Sequence, residues 1–388
     1  MIMIVTNIKL INWKNFHECD VDVAERTFIV GSNASGKSNF LDALRFLYDI
    51  ARSGGGLQTA VASRGGMTKL RCLAARTRTD VGIAVAIKNE INGDIWTYRL
   101  AFKSTGGGIM KKEVSILVEE VKKGDDFLLL RTPDSAGEDS DTLKYTHLEQ
   151  VTSNQKFREL RNFFSNIEYL NVIPQLVRDS ASLQLSADKD DFYGRNFLQR
   201  LAQMNKATST AYFKRVNEVL KKAVPQLDEL KLVFDKMGVP HLEARYEHWR
   251  AKGSKQQENQ FSDGTLRLIG FLFALLDNKG VVLLEEPETN LHSAIVAQLP
   301  AFIAKLQRSK KETRQVFITT HSYEMLSNEG ISGEEVVLLK PSQEGTEVIN
   351  AASIKEVNDE LNAGFTIADS VIPYTKPSQV EGLSDIKL

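Results

Sequence analysis

The chain has 388 residues, 42% hydrophobic and 26% charged, with 49 basic against 50 acidic side chains and a formal net charge of −1. This balance excludes a wholly disordered chain, leaves room for two or three domain-sized pieces, and confines any nucleic-acid contact to a local patch. Two cysteines, Cys19 and Cys72, exclude a disulfide framework and a cysteine zinc site and fit a reducing cytosol.

Residues 2–30 read as two strands, IVTNIKLI and VDVAERTFIV. Thr6, Asn7 and Lys9 interrupt the opening, which is therefore not a signal peptide. A Gly-rich turn at 31–36 leads into a helix over 37–52, with Phe40, Leu44, Leu47 and Ala51 at helical spacing. The GGG and RGG triplets within 54–66 mark a loop. From 80 to 131, VGIAVAI, IWTYRLAF, EVSILVEEV and FLLLR alternate between turns and predict an antiparallel meander. Residues 132–142 are polar and turn-rich, 150–225 read as mostly helical, and 251–261 read as a polar linker.

The sequence SDGTLRLIGFLFALL then predicts a helix apolar almost all round, hence buried. VVLLEE and QVFITTHS read as buried strands of a parallel sheet, with an amphipathic helix over 293–308 between them. The tail beyond Gly364, with Pro373 and Pro377, is expected to be irregular. The longest apolar run, Leu268 to Leu276, is well short of the roughly 20 residues that span a bilayer. No membrane insertion and a cytoplasmic location are therefore expected.

Gly31-Ser32-Asn33-Ala34-Ser35-Gly36-Lys37-Ser38, followed by Asn39, matches GxxxxGK[ST] between an apolar strand and an amphipathic helix. The spacing has a chemical reason. Glycines let backbone N–H groups converge on phosphates, Lys37 reaches the β- and γ-phosphates, Ser38 offers its hydroxyl to Mg²⁺, and the helix start adds its dipole. Val281 to Glu288, VVLLEEPE, ends a buried strand in two carboxylates, where open α/β sheets present ligands. Glu285 can hold Mg²⁺, directly or through water, and Glu286 can orient or deprotonate an attacking water. Burying such a pair without a cation is costly.

Phe261-Ser262-Asp263-Gly264-Thr265 opens a helix; alone, Ser262 is a good N-cap, and beside the other motifs this helix start becomes a second phosphate-binding end. His321 follows a strand and can face the same crevice as Glu286. His241 and His248, seven apart without a third ligand, read as structural.

The order GSNASGKS, FSDGT, LLEEPETNLH, ITTHS, preceded by IKLINWKNF, resembles the ABC-type ATPase heads of the SMC/RecF/OLD group, catalogued as AAA-family or AAA_21 ATPases. The resemblance covers residues 1–100 and 255–345 strongly and 150–250 weakly. It implies an α/β P-loop NTPase with an antiparallel β-subdomain and a helical insertion. The expected pieces are an N-terminal ATPase lobe at 1–150, an insertion at 151–254 and a C-terminal lobe at 255–388.

By the same resemblance, Gly31 to Asn39 bind ATP phosphates. Ser262, Asp263, Gly264 and Thr265 form the signature that reaches the γ-phosphate of a second subunit. Glu285 and Glu286 are the Walker B acids, with Glu286 catalytic. Asn290, Leu291 and His292 match the D-loop, and His321 the switch histidine. Lys14, Asn15 and Phe16 occupy a strand turn that lies near the nucleotide. The implied cofactors are ATP and Mg²⁺, and the implied active unit is a head-to-head homodimer or larger assembly.

FSDGT departs from the LSGGQ of transporters, and Glu285 stands where Asp is usual. No Q-loop glutamine is placed; Arg64 stands in that neighbourhood. There is no heptad arm, and no DxD pair follows His321, so the TOPRIM nuclease domain of OLD proteins is expected to be absent. By family analogy the chain would regulate a separately encoded, nuclease-like effector in phage defence or DNA repair. The alternatives are the ATPase subunit of a transporter and an ATP-binding assembly scaffold with little turnover.

Two charged segments remain. Arg195 to Lys222 carries Arg195, Arg200, Lys206, Lys214, Arg215, Lys221 and Lys222 against Glu218, with Phe197, Tyr212 and Phe213 interleaved. It reads either as a solvated helix face or as a DNA-backbone contact. Residues 329–360 hold eight acids against two lysines, which suits a basic protein partner or none.

Overall fold

The computed structural model describes residues 3–105, 113–134, 139–179, 193–247, 254–277, 280–309 and 314–376. Parts of the expectations for 132–142, 150–225, 251–261 and the tail, and His248 entirely, lie outside these residues. The chain forms two compact units: Met1–Glu168 with Lys279–Leu283 and Gln307–Leu388, and Tyr169–Asn278 with Leu284–Leu306.

The first unit begins with three strands, β1 (Met3–Trp13), β2 (Phe16–Asp22) and β3 (Arg26–Gly31), where two were expected. The extra break falls inside VDVAERTFIV, at residues 23–25 between β2 and β3, where Thr27 Oγ1 accepts the Ala24 N–H at 3.0 Å. The meander follows as expected: β4 (Val81–Asn89), β5 (Ile95–Ser104), β6 (Val114–Lys123) and β7 (Asp126–Arg131). With β1 and β2 it makes a six-stranded sheet in the order β2-β1-β4-β5-β6-β7.

The second sheet has the order β15-β14-β3-β13-β12-β8, built from β8 (Glu168–Leu170), β12 (Val282–Glu285), β13 (Val316–Thr320), β14 (Val336–Ser342) and β15 (Gly345–Asn350). Within it, β3 runs parallel to both β13 and β14, so its apolar run FIV is covered on both edges. The chain leaves the first unit within β8 and again within β12.

Helix α1 (Lys37–Ala51) buries Phe40, Leu44, Phe46 and Leu47. Phe46 stacks on Phe102 at 5.6 Å and meets Trp13 edge-on at 5.2 Å, which seats α1 against the antiparallel sheet. Buried Gln315 joins the two sheets: its side-chain amide donates to the carbonyl of Val5 and its oxygen accepts the Val5 N–H at 2.8 Å. The loop expected at 54–66 contains a short helix, Leu57–Ala62.

The second unit packs the helix Asp263–Asp277 against its neighbours through Phe273, which meets Phe197 at 5.1 Å and Tyr212 at 6.0 Å. Beyond the 150–225 segment read as mostly helical lies an antiparallel sheet of β9 (Leu227–Phe234), β10 (Pro240–Tyr246) and β11 (Ser254–Gln257). β11 falls within the expected linker: an edge strand tolerates its polar residues, and the Gln257–Gln260 capping box ends it. The amphipathic helix expected at 293–308 is split into Ser293–Val296 and Leu299–Ser309. The irregular tail is corrected too. Ile367–Thr375 is helical, because the Thr366–Asp369 capping box and buried Ile367, Ala368 and Val371 outweigh Pro373.

Candidate nucleotide site

In the first unit, β3 delivers the chain into the Gly31–Asn39 loop, and the register fixes what surrounds it. Thr320 is paired with Val30, and Leu339 with Gly31. Exposed His321, the residue after β13, therefore emerges beside the start of the loop. Ala34 and Gly36 take left-handed backbone, φ 64 and φ 100. Gly36 is required twice over: a Cβ there would also lie 2.0 Å from Asn15 Nδ2.

The loop has the donors that a phosphate chain needs. Gly36 precedes α1 with no side-chain cap and no acid in the first turn, so the helix start is open to an anion. Lys37 is only 7% exposed, and its ammonium donates to the loop carbonyls of Gly31 (3.0 Å) and Ser32 (3.2 Å). The Ser35 hydroxyl is buried without a hydrogen-bond partner. An orphaned hydroxyl, a buried ammonium and an uncapped helix start fit nucleotide phosphates.

Asn15, read from the sequence as near the nucleotide, lies against the loop backbone: its Nδ2 donates to the Ser35 carbonyl at 2.9 Å. Lys14 and Arg64 go elsewhere. Both pair with Asp42 of α1, at 2.6 and 2.8 Å, and Arg64 also pairs with Asp49 at 2.8 Å. Burial raises the Asp42 carboxyl, but hydrogen bonds from Arg64 and Lys14 outweigh it and hold it below the ordinary range.

In the second unit, β12 ends at half-buried Glu285. Its carboxylate accepts from the Tyr169 hydroxyl and, at 3.5 Å, from Asn171 Nδ2. Glu286 has φ 40 and Asn290 φ 65, both left-handed. The signature segment folds as a cap first: the Ser262 hydroxyl accepts the Thr265 N–H at 3.2 Å. Arg178 ties its start down, donating to the Phe261 carbonyl (2.8 Å) and to the Asp263 carboxylate. A Cβ on Gly264 would lie 2.4 Å from the Asn290 carbonyl oxygen, so the signature and the segment after Glu286 are packed backbone to backbone.

Sequence reasoning missed Tyr169, Asn171, Arg178 and Thr346, the last of which also bonds to the phosphate loop. Only the i, i+2 spacing of Tyr169 and Asn171 could have placed those two on one face. His241 is structural as expected: its Nδ1 lies 2.7 Å from Oε1 of buried Glu258.

The basic segment presents mainly charge, with Phe213 half-buried. Lys206, Lys214, Arg215, Lys221 and Lys222 are exposed on the helix Lys206–Ala223, whereas Phe197 and Tyr212 are buried. Among the described residues no group of three or more His, Cys, Asp or Glu could hold a metal, and no helix is long and apolar enough to cross a membrane.

A protein-family model, AAA_21, described as "AAA domain, putative AbiEii toxin, Type IV TA system", matches residues 26–327. No curated protein matches. Among solved structures the chain is similar to an Smc head bound to the C-winged helix domain of ScpA, with 15% identity and a TM-score of 0.55 over 89% of this chain and 97% of that one. It is also similar to an Smc head domain with an extended coiled coil, bound to the C-terminal domain of ScpA derived from Pyrococcus furiosus. There the identity is 13% and the TM-score 0.51, over 93% of this chain and 100% of that one. These likenesses show the fold, a P-loop NTPase head of the ABC type.

Proposed function

The chain belongs to the AAA_21 family and is an ATPase with an SMC-type head; from that premise we propose that it hydrolyses ATP between two copies of itself and uses the cycle to switch a separately encoded, nuclease-like effector in phage defence or DNA repair. Gly31 to Asn39 hold the ATP phosphates. Ser262 to Thr265 reach the γ-phosphate of the second copy. Glu286 orients and deprotonates the attacking water, and His321 holds that water or the γ-phosphate.

Ser38 and Glu285 would hold Mg²⁺, which would neutralise phosphate charge. A hydroxyl and a carboxylate are hard oxygen donors, and Mg²⁺ characteristically completes its shell with phosphate oxygens and water rather than an all-protein cage. The cycle runs in the cytoplasm. The exposed lysines of Lys206–Ala223 are available to a DNA backbone.

The observation that carries this reading is the phosphate loop itself: an uncapped helix start, buried Lys37 and orphaned Ser35, with His321 emerging alongside. The test is turnover and sedimentation of two variants. Lys37→Ala should lose ATP binding. Glu286→Gln should bind ATP, hydrolyse it at least about a hundredfold more slowly, as expected from losing a general base, and accumulate as a dimer. Unchanged turnover in Glu286→Gln would remove it from the chemistry, and a monomer with ATP bound would remove the shared site.

A further inference from the structure

We propose that Thr346 and Asn15 are positioning residues for nucleotide binding: together they aim the Gly36 N–H into the phosphate loop and fasten that loop to the β14–β15 hairpin. This rests on the phosphate-binding role of Gly31 to Asn39.

The contacts form a closed set. The Thr346 hydroxyl donates to the Ser35 carbonyl at 2.9 Å. Asn15 Nδ2 donates to the same carbonyl at 2.9 Å and to Thr346 Oγ1 at 2.7 Å. Asn15 Oδ1 accepts from Asn39 Nδ2 at 2.8 Å, and the Asn15 carbonyl accepts the Thr346 N–H at 2.8 Å. Trp13 Nε1 completes the set by donating to the Asn39 carbonyl at 2.9 Å. Thr346 is buried, 6% exposed, so these bonds have little competition from water.

The consequence follows from peptide geometry. The Ser35 C=O and the Gly36 N–H belong to one planar trans unit and point in opposite directions. Two donors hold the carbonyl toward Asn15 and Thr346, so the N–H is fixed toward the other side. Left to itself this peptide could flip, because Gly36 sits at φ 100 and glycine tolerates both signs of φ. The brace removes that freedom before nucleotide arrives, and preorganised donors bind more tightly than donors that must be ordered.

Nothing in the local sequence announces this role. Thr346 follows Gly345 at the start of β15, 311 positions from the carbonyl it holds.

The experiment compares Thr346→Val, which keeps the shape and loses the hydroxyl, with Thr346→Ser, which keeps the hydroxyl. Binding of a fluorescent ATP analogue to the full chain is read together with thermal unfolding and with hydrogen exchange of the 31–39 segment. Thr346→Val should weaken binding by about tenfold, as expected for removing a bond to a shared acceptor, and should speed exchange across 31–39. Thr346→Ser should bind within about twofold of the parent, since the hydroxyl is retained.

Unchanged affinity and exchange in Thr346→Val, even with a lower melting temperature, would reduce Thr346 to a structural contact and overturn the proposal. Lys37→Ala is run alongside. If it too binds normally, the phosphate-loop reading fails; if it loses binding while Thr346→Val does not, only the brace fails. Should Thr346→Val not fold, Asn15→Ala, which removes the other donor to the Ser35 carbonyl, carries the same expectation.

Discussion

Glu286 and Asn290 share a property that the motif pattern alone does not contain: both hold left-handed backbone, which costs a non-glycine residue about 1–3 kcal/mol and persists only where the surroundings over-determine it. The surroundings here include the close approach of Gly264 to the Asn290 carbonyl. Gly264→Ala should force that carbonyl away and lower unfolding stability by about 1–3 kcal/mol, the usual cost of overpacking. Nucleotide should still bind, because Lys37 and its loop belong to the other unit, while turnover falls; denaturant unfolding and a binding titration separate the two effects. The candidate phosphate loop could be read from the sequence because its motif has a fixed local spacing. Tyr169, Arg178 and Thr346 could not, because their partners are brought to them only by tertiary pairing at separations of 116, 85 and 311 residues.

At the scale of elements, the meander, α1 and the buried strands were readable from period and composition, whereas polar edge strand β11 and the helix Ile367–Thr375 were not. In both, hydrogen-bonding context overrode local composition. The short helix Leu57–Ala62 shows another such dependence. Glu149 holds its start, accepting the Leu57 N–H at 2.6 Å and the Thr146 N–H at 3.1 Å. Burial pushes the Glu149 carboxyl from its ordinary 4.5 up to about 7. The folded state therefore keeps this proton where the unfolded chain has lost it. The resulting stability is fully present below 4.5 and is lost as pH rises through about 7. Urea midpoints at about pH 5 and about pH 8 should show the decline in the parent chain and a flatter profile in Glu149→Gln; equal slopes would place the proton elsewhere.

For the molecule as a whole, the division into two units runs through strands. The sequence suggested successive segments. The chain instead leaves the first unit inside β8 and returns to it twice, so the unit boundary follows strands rather than linkers. β3, made early, is bordered by β13 and β14, made late. A growing polypeptide on the ribosome therefore carries GSNASGKS long before it can close the edges of the strand that presents it. Translation must pass Thr346 before the last brace exists. Nascent chains stalled before β13 has emerged should fail to be retained on immobilised ATP, and chains stalled after β15 has emerged should be retained. Nucleotide would then be a ligand only of chains grown past β15, and synthesis itself would set when the ATPase first becomes responsive.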